Sequence, residues 1–255
     1  MAKERKHYEK EIIDECVSSL NDISNFYTKD FINYRGKTCD TKKPFMELVI
    51  KFINDHIDQF ENNISTITRN KSYNCNHKVK YVDNDSEKIL AKNLHYFSKH
   101  DNQIYSYIGK IIDYETPLKN ELYSKSTEGQ IDLLSFSQET NKLHLIEFKK
   151  DTNNETLLRC ILEIYTYYKI LDKEKILIDF KDDLKGSSAN IKIAPTVLVF
   201  KNGRQYEDFE CGKESKNKTG KSELLELMNK LKIELYFIEK IDESYKVTKG
   251  LIQED

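Results

Sequence analysis

Asp132, Glu147 and Lys149 are the residues of this chain whose types and spacing could do chemistry. Asp132 interrupts an apolar run, Gly129-Gln130-Ile131-Asp132-Leu133-Leu134. Burying an unpaired carboxylate in such a strand is costly, so an Asp there needs a partner or a function. Glu147 and Lys149 stand in a second apolar run, Leu143-His144-Leu145-Ile146-Glu147-Phe148-Lys149. Strand residues two apart share a face, so Glu147 and Lys149 point one way, and Ile146 and Phe148 point into the opposite layer. A turn near Gln138–Asn141 lays the start of the first strand beside the end of the second. Two carboxylates and an amine then meet on one face of a hairpin.

Two carboxylates held together repel unless a cation lies between them. Their hard oxygens suit Mg²⁺, with Mn²⁺ able to substitute, and the backbone carbonyl of Phe148 is a further ligand of the same kind. The chemistry that uses such a site is phosphodiester hydrolysis, in which the metal activates water and shields developing charge. Lys149 would position that water, help deprotonate it, or hydrogen-bond the phosphate oxygens. The plainer reading of the same residues is a salt-bridged hairpin surface.

The text Gly129-Gln-Ile-Asp132-Leu-Leu followed by Leu-Ile-Glu147-Phe-Lys149 resembles the PD-(D/E)xK nuclease superfamily, which includes restriction endonucleases and archaeal and RecB-type repair nucleases. Glu-x-Lys alone carries no signal; the apolar flanks, the Gly three before the Asp and the hairpin-sized gap carry it. The resemblance covers about residues 85–240. It implies a restriction-endonuclease-like fold of mixed α/β class, with a central mixed β-sheet flanked by helices. It also implies DNA cleavage that leaves a 5′-phosphate and a 3′-hydroxyl, in restriction, repair or defence.

Further residues follow from that resemblance. Glu87, on the helix before the sheet, is expected among the catalytic residues, assisting the metal as a direct or outer ligand. Glu115, in the strand before the Asp strand, is expected to support the site from behind. RecB-like relatives carry Gln-x-x-x-Tyr on the helix after the Glu-x-Lys strand. Here the text is Glu163-Ile-Tyr-Thr-Tyr167. A Glu cannot donate to a phosphate, so Glu163 is expected behind the metal ligands. Tyr167 and Arg159, one turn before Glu163, are expected to contact nucleic acid. Two other readings stay open on these residues: an RNA-processing nuclease, and a non-cutting nucleic-acid or protein-binding module with a nuclease fold.

The elements that must position this site follow from periodicity. Residues 1–80 read as a helical extension, with helices over 4–27 and 45–60 and an Asn-rich linker over 62–84. Residues 81–255 read as the nuclease-like core. Ser86 caps a helix to about His100, and strand material runs from Tyr105 to about Leu118. The hairpin of 131–137 and 143–149 leads into an amphipathic helix over 156–171. Ile176–Phe180 reads as a short strand and Thr196–Phe200 as a buried one. Asn202-Gly203 is a hairpin signal that sends Arg204–Phe209 back as a strand. A helix over 222–230 and a strand over 233–238 close the order.

The formal net charge is −2, which excludes a chain that binds nucleic acid through a blanket of positive charge. Lys78, Lys80 and the Lys213–Lys221 loop are the basic stretches that could approach DNA, although a solvated loop explains the last as well. The partner is expected to be DNA or RNA, with a homodimer or partner protein contacted through residues 1–80. Five cysteines without a CxxC pair read as free thiols in a reducing compartment, not as a zinc site. No secretory leader or long apolar run is present, so no membrane is expected and the reading is cytoplasmic. No Gly-rich phosphate loop is present, so the chain carries no ATPase motif of that type.

Overall fold

Strand-forming apolar residues build one six-stranded sheet whose neighbours follow chain order: β1 (Lys110–Pro117), β2 (Gln130–Ser137), β3 (Lys142–Lys149), β4 (Lys192–Phe200), β5 (Glu234–Ile241) and β6 (Ser244–Leu251). The structure is a computed structural model and describes residues 7–78, 80–118, 129–185, 190–216, 220, 222–242 and 244–251. β1, β2 and β3 are antiparallel neighbours, β3, β4 and β5 run parallel, and β6 returns antiparallel to β5. The class is therefore mixed α/β, with helices on both faces of the sheet. Among the described residues no helix is long and apolar enough to cross a membrane.

The two faces have separate cores. On one, Leu133, Ile146, Phe148 and Leu198 meet Leu90 and Leu94 of α4 (Glu87–His100). On the other, Leu134, Leu143, Leu145 and Val197 meet α5 (Leu157–Ile170). Thr156 caps α5 by accepting from the Arg159 N–H, the role a short hydroxyl plays at a helix start. The N-terminal helices pack into this same second core: Ile12 of α1 (Glu9–Ser19), Val49 and Ile53 of α2 (Phe45–Asp55) and Phe60 of α3 (Ile57–Asn62) share one cluster with α5 and the sheet.

Several expectations need correction. The described part of 4–27 does not form one helix: α1 ends at Ser19 and a 3-10 segment, Leu20–Thr28, continues with a kink at Asp22. The helix expected over 45–60 breaks at His56, between α2 and α3. Ile176–Phe180 is no strand. It lies in and just beyond α6 (Lys173–Asp179), which Asp172 caps through the Lys175 N–H; short apolar runs are ambiguous by periodicity alone. Arg204–Phe209 is no returning strand either, but the first part of α7 (Arg204–Glu214). Asn202 does turn the chain with a left-handed φ of 73°. β4, however, already has parallel neighbours on both sides, so a hairpin partner has no edge to join. β6 is unforeseen because only Val247 in it is buried. α8 (Glu223–Lys230) stands where a helix was expected. The polar stretch Glu121–Gly129 reads from sequence as a turn, and its residues 121–128 lie outside the described residues, as do Lys218 and Lys221 of the basic loop.

Candidate metal centre

The β2–β3 ladder ends at Leu133↔Ile146, and Asp132 and Glu147 are the next residues on each strand. There the Asp132 carboxylate replaces the main-chain ladder, and its Oδ2 accepts the Phe148 N–H at 2.9 Å. A strand residue's N–H and C=O point to the same side, so the Phe148 carbonyl also faces the Asp132 side. Ile146 and Phe148 are buried in the α4 layer, which leaves Glu147 and Lys149 on the α5 side as the alternation requires.

Lys149 reaches back along its own strand, with its Nζ 2.7 Å from Glu147 Oε1. The same ammonium lies 3.0 Å from Glu155 Oε2 and 3.7 Å from Glu87 Oε1. Glu147 is only 2% exposed. Burial raises its carboxyl well above the ordinary range; Asp132 and Glu163 add to the rise, and Lys149 opposes it. Burial likewise pushes Asp132 up to about 7, with Lys149 and the Phe148 N–H working against the shift. Burial pulls the Lys149 ammonium down, but Glu147 and Asp132 outweigh it and hold the pKa above that of an ordinary lysine. The neighbouring carboxylates thus favour the protonated form of Lys149.

The tightest carboxylate group differs from the expected one. Oxygens of Glu147, Glu155 and Glu163 all lie within 4.8 Å of one another. Glu163, expected behind the metal ligands, is thus drawn into the front row, and Glu155 was missed by sequence reasoning. A signal for it exists: Arg159, Glu163 and Tyr167 recur every four residues on one face of α5, and one more step back, just before the Thr156 cap, is Glu155. Asp132 stands beside this group, bonded to Phe148.

Glu87 is brought to the rim. Its Oε2 accepts the Lys150 N–H at 2.8 Å, and Asn153 Nδ2 lies 3.1 Å from the same oxygen. These bonds tie the start of α4 to the end of β3. Glu115 is not brought in; it ion-pairs with Lys88 at 2.5 Å. Arg159 is bound into the cluster, 2.8 Å from Glu155 Oε1. Tyr167 does not stand at the surface: it is 3% exposed, and its hydroxyl donates to Glu163 Oε1 at 2.7 Å. It positions Glu163 and offers no face to nucleic acid. Lys78 and Lys80 are exposed, and neither lies among the cluster's charge contacts.

The cluster opens to solvent through a cleft lined by Asn33, Glu87, Lys149, Asn153, Asn154 and Glu155. Asn33 comes from the N-terminal segment, so that segment walls the site. A separate cavity of about 650 Å³ lies between α4 and the β1–β2 edge, lined by His95, Lys99, Tyr105 and Asp183 among others. None of the cluster's carboxylates lines it, so side-chain chemistry and not volume singles out the candidate site.

Gly129, the motif residue three before Asp132, has a local reason. A Cβ there would lie 1.8 Å from the Tyr167 hydroxyl. Gly129→Ala is expected to lower stability by about 1–3 kcal/mol, the range for forcing atoms into a packed site, and to displace Tyr167 from Glu163. Thermal denaturation checks this; an unchanged melting temperature would mean the strand entry relaxes freely.

No family model, curated protein or solved structure matches the chain.

Proposed function

We propose that the chain is a Mg²⁺-dependent nuclease of the PD-(D/E)xK kind that hydrolyses DNA phosphodiester bonds. The observation that carries this reading is the convergence of Asp132, Glu147 and Lys149 at the ends of two adjacent strands, with Glu155 and Glu163 closing on Glu147 from the helix side. The order of α4, three antiparallel strands, α5 and a parallel strand supports a restriction-endonuclease-like fold. A cytoplasmic setting in restriction, repair or defence belongs to the same proposal.

The donor set fits a hard divalent ion. Asp132, Glu147, Glu155 and Glu163 carry four negative charges when ionised, against two positive charges from Lys149 and Arg159, so a divalent ion balances them. Mg²⁺ and Mn²⁺ both prefer such oxygens. Asp132 and Glu147, with the Phe148 carbonyl, would hold the ion, while Glu155 and Glu163 complete the acidic wall and Glu87 borders the entrance. Bound there, the ion would supply activation of water and neutralisation of phosphate charge.

The chain's own groups do the rest. The carboxylates around Lys149 favour its protonated form, which suits it to donate to the attacking water and the phosphate oxygens. Asn33 and Asn154 line the approach and offer neutral amide donors to a phosphate. DNA is the substrate the resemblance favours.

Incubation with matched DNA and RNA, single- and double-stranded, linear and circular, tests the proposal. Cleavage of DNA that requires Mg²⁺ or Mn²⁺ is expected. It should fall by roughly 10³-fold or more in a folded Glu147→Gln variant, as when a main electrostatic element of a site is removed. Cleavage of RNA alone would replace the substrate, and no metal-dependent cleavage of any substrate would favour a binding module.

A further inference from the structure

Arg159 occupies an unusual place for a residue that would meet a phosphate. Its Nε lies 2.8 Å from Glu155 Oε1 and 3.7 Å from Glu163 Oε2. It therefore stands between two of the three carboxylates whose oxygens gather within 4.8 Å. Its guanidinium also lies 5.9 Å from the centre of the Tyr27 ring and donates to the Tyr27 carbonyl at 3.5 Å. The side chain is 22% exposed, against 10% for Lys149.

We propose that Arg159 is a counter-cation built into the cluster, which leaves Glu155 and Glu163 when a divalent ion enters and then turns its guanidinium to the substrate phosphate. The proposal rests on the metal-centre reading above. An ion held by Asp132 and Glu147 would sit beside the Glu155 and Glu163 oxygens, which lie within 4.8 Å of a Glu147 oxygen, and so would come within several ångströms of the guanidinium, in a partly desolvated place where like charges repel strongly. Lys149 cannot be the group that yields. It is nearly buried and is fixed to Glu147 on the strand side.

Arg159 has somewhere to go. Its guanidinium already lies 5.9 Å from the centre of the Tyr27 ring, whose face favours a cation, and its partner Glu155 lines the cleft that opens to solvent. Its planar fork suits a phosphate better than any other side chain in the stripe. This also gives Glu163 a purpose in the place where RecB-like relatives carry Gln. Glu163 cannot donate to a phosphate itself, but it holds in reserve an arginine that can.

The test titrates Mn²⁺ into the chelator-treated full chain by calorimetry, for the unaltered protein, Arg159→Gln and Arg159→Lys. Loss of the competing cation should tighten Mn²⁺ binding to Arg159→Gln by roughly three- to tenfold, the size of one partly buried ion pair. Arg159→Lys should stay near the unaltered protein. In the unaltered protein the Arg159 Nε–H resonance should shift when Mg²⁺ is added. Weaker or unchanged Mn²⁺ binding in a folded Arg159→Gln, or an unmoved Nε–H resonance while Mg²⁺ binds, would overturn the proposal. Absence of Mn²⁺ binding in all three proteins would instead overturn the metal centre, and the proposal with it. If Arg159→Gln fails to fold, the resonance and the Arg159→Lys titration decide alone.

Discussion

Asp132→Asn is expected to make the protein more stable while abolishing the metal-dependent cleavage proposed for it. The Asp132 carboxyl is pushed up to about 7, first by burial, from an ordinary value near 3.8. The sign follows from proton linkage. Between those two values the folded protein keeps a proton that the unfolded chain has lost, so stability falls as pH rises from about 4 to about 7 and the penalty is fully present above that. A three-unit shift would correspond to about 4 kcal/mol at 1.36 kcal/mol per unit. Solvent reaches part of Asp132, so only part of this is expected. Asparagine keeps an oxygen for the Phe148 N–H and carries no charge. The variant should gain roughly 1–3 kcal/mol at about pH 8 and almost nothing at about pH 4. Urea denaturation at both pH values checks this. A loss of stability at pH 8 would show that Asp132 is satisfied where it sits and is not held in strain for a ligand.

Lys149→Met should do the opposite. It removes the ammonium 2.7 Å from Glu147, which is 2% exposed, and leaves Asp132 and Glu155 less compensated as well. Breaking a buried ion pair from one side typically costs about 3–5 kcal/mol. Glu147 can escape part of this by taking up a proton, so a loss of about 2–4 kcal/mol is expected near pH 7. Mg²⁺ should recover much of the lost stability, because it supplies the missing positive charge. The pair of variants separates two accounts of the cluster. A surface lattice of salt bridges would be hurt slightly by either change. A buried acidic site awaiting a cation gains from losing an acid and suffers from losing its base. Equal, small losses in both would contradict the metal-centre account.

The motif was legible because strand alternation is strict. Once Ile146 and Phe148 are assigned to the core, Glu147 and Lys149 have no choice of side, and the hairpin then places Asp132 within reach. The helix side was less legible. Glu155 stands just before the cap of α5, in a polar Asn153-Asn154-Glu155 stretch that reads as a loop, and its role appears only when the four-residue step through Arg159, Glu163 and Tyr167 is followed backwards. Glu115 looked comparable to Glu87 because both sit near expected positions. Only the three-dimensional arrangement separates them, since Lys88 takes Glu115 away and the Lys150 N–H draws Glu87 in. The hairpin signal at Asn202-Gly203 failed for a topological reason: local turn chemistry was right, but β4 sits inside the sheet. The N-terminal helices could be placed only through their burial against α5, and Asn33 in the cleft wall has no signature at all in the chain.

The most direct measurement is the position of Mn²⁺ in crystals of the full chain, read from its anomalous scattering. A single strong peak is predicted within about 2.5 Å of oxygens of both Asp132 and Glu147, the range for a hard cation and its ligands. No peak in this cluster, or peaks confined to carboxylates elsewhere on the molecule, would contradict the assignment of Asp132 and Glu147 as the metal centre.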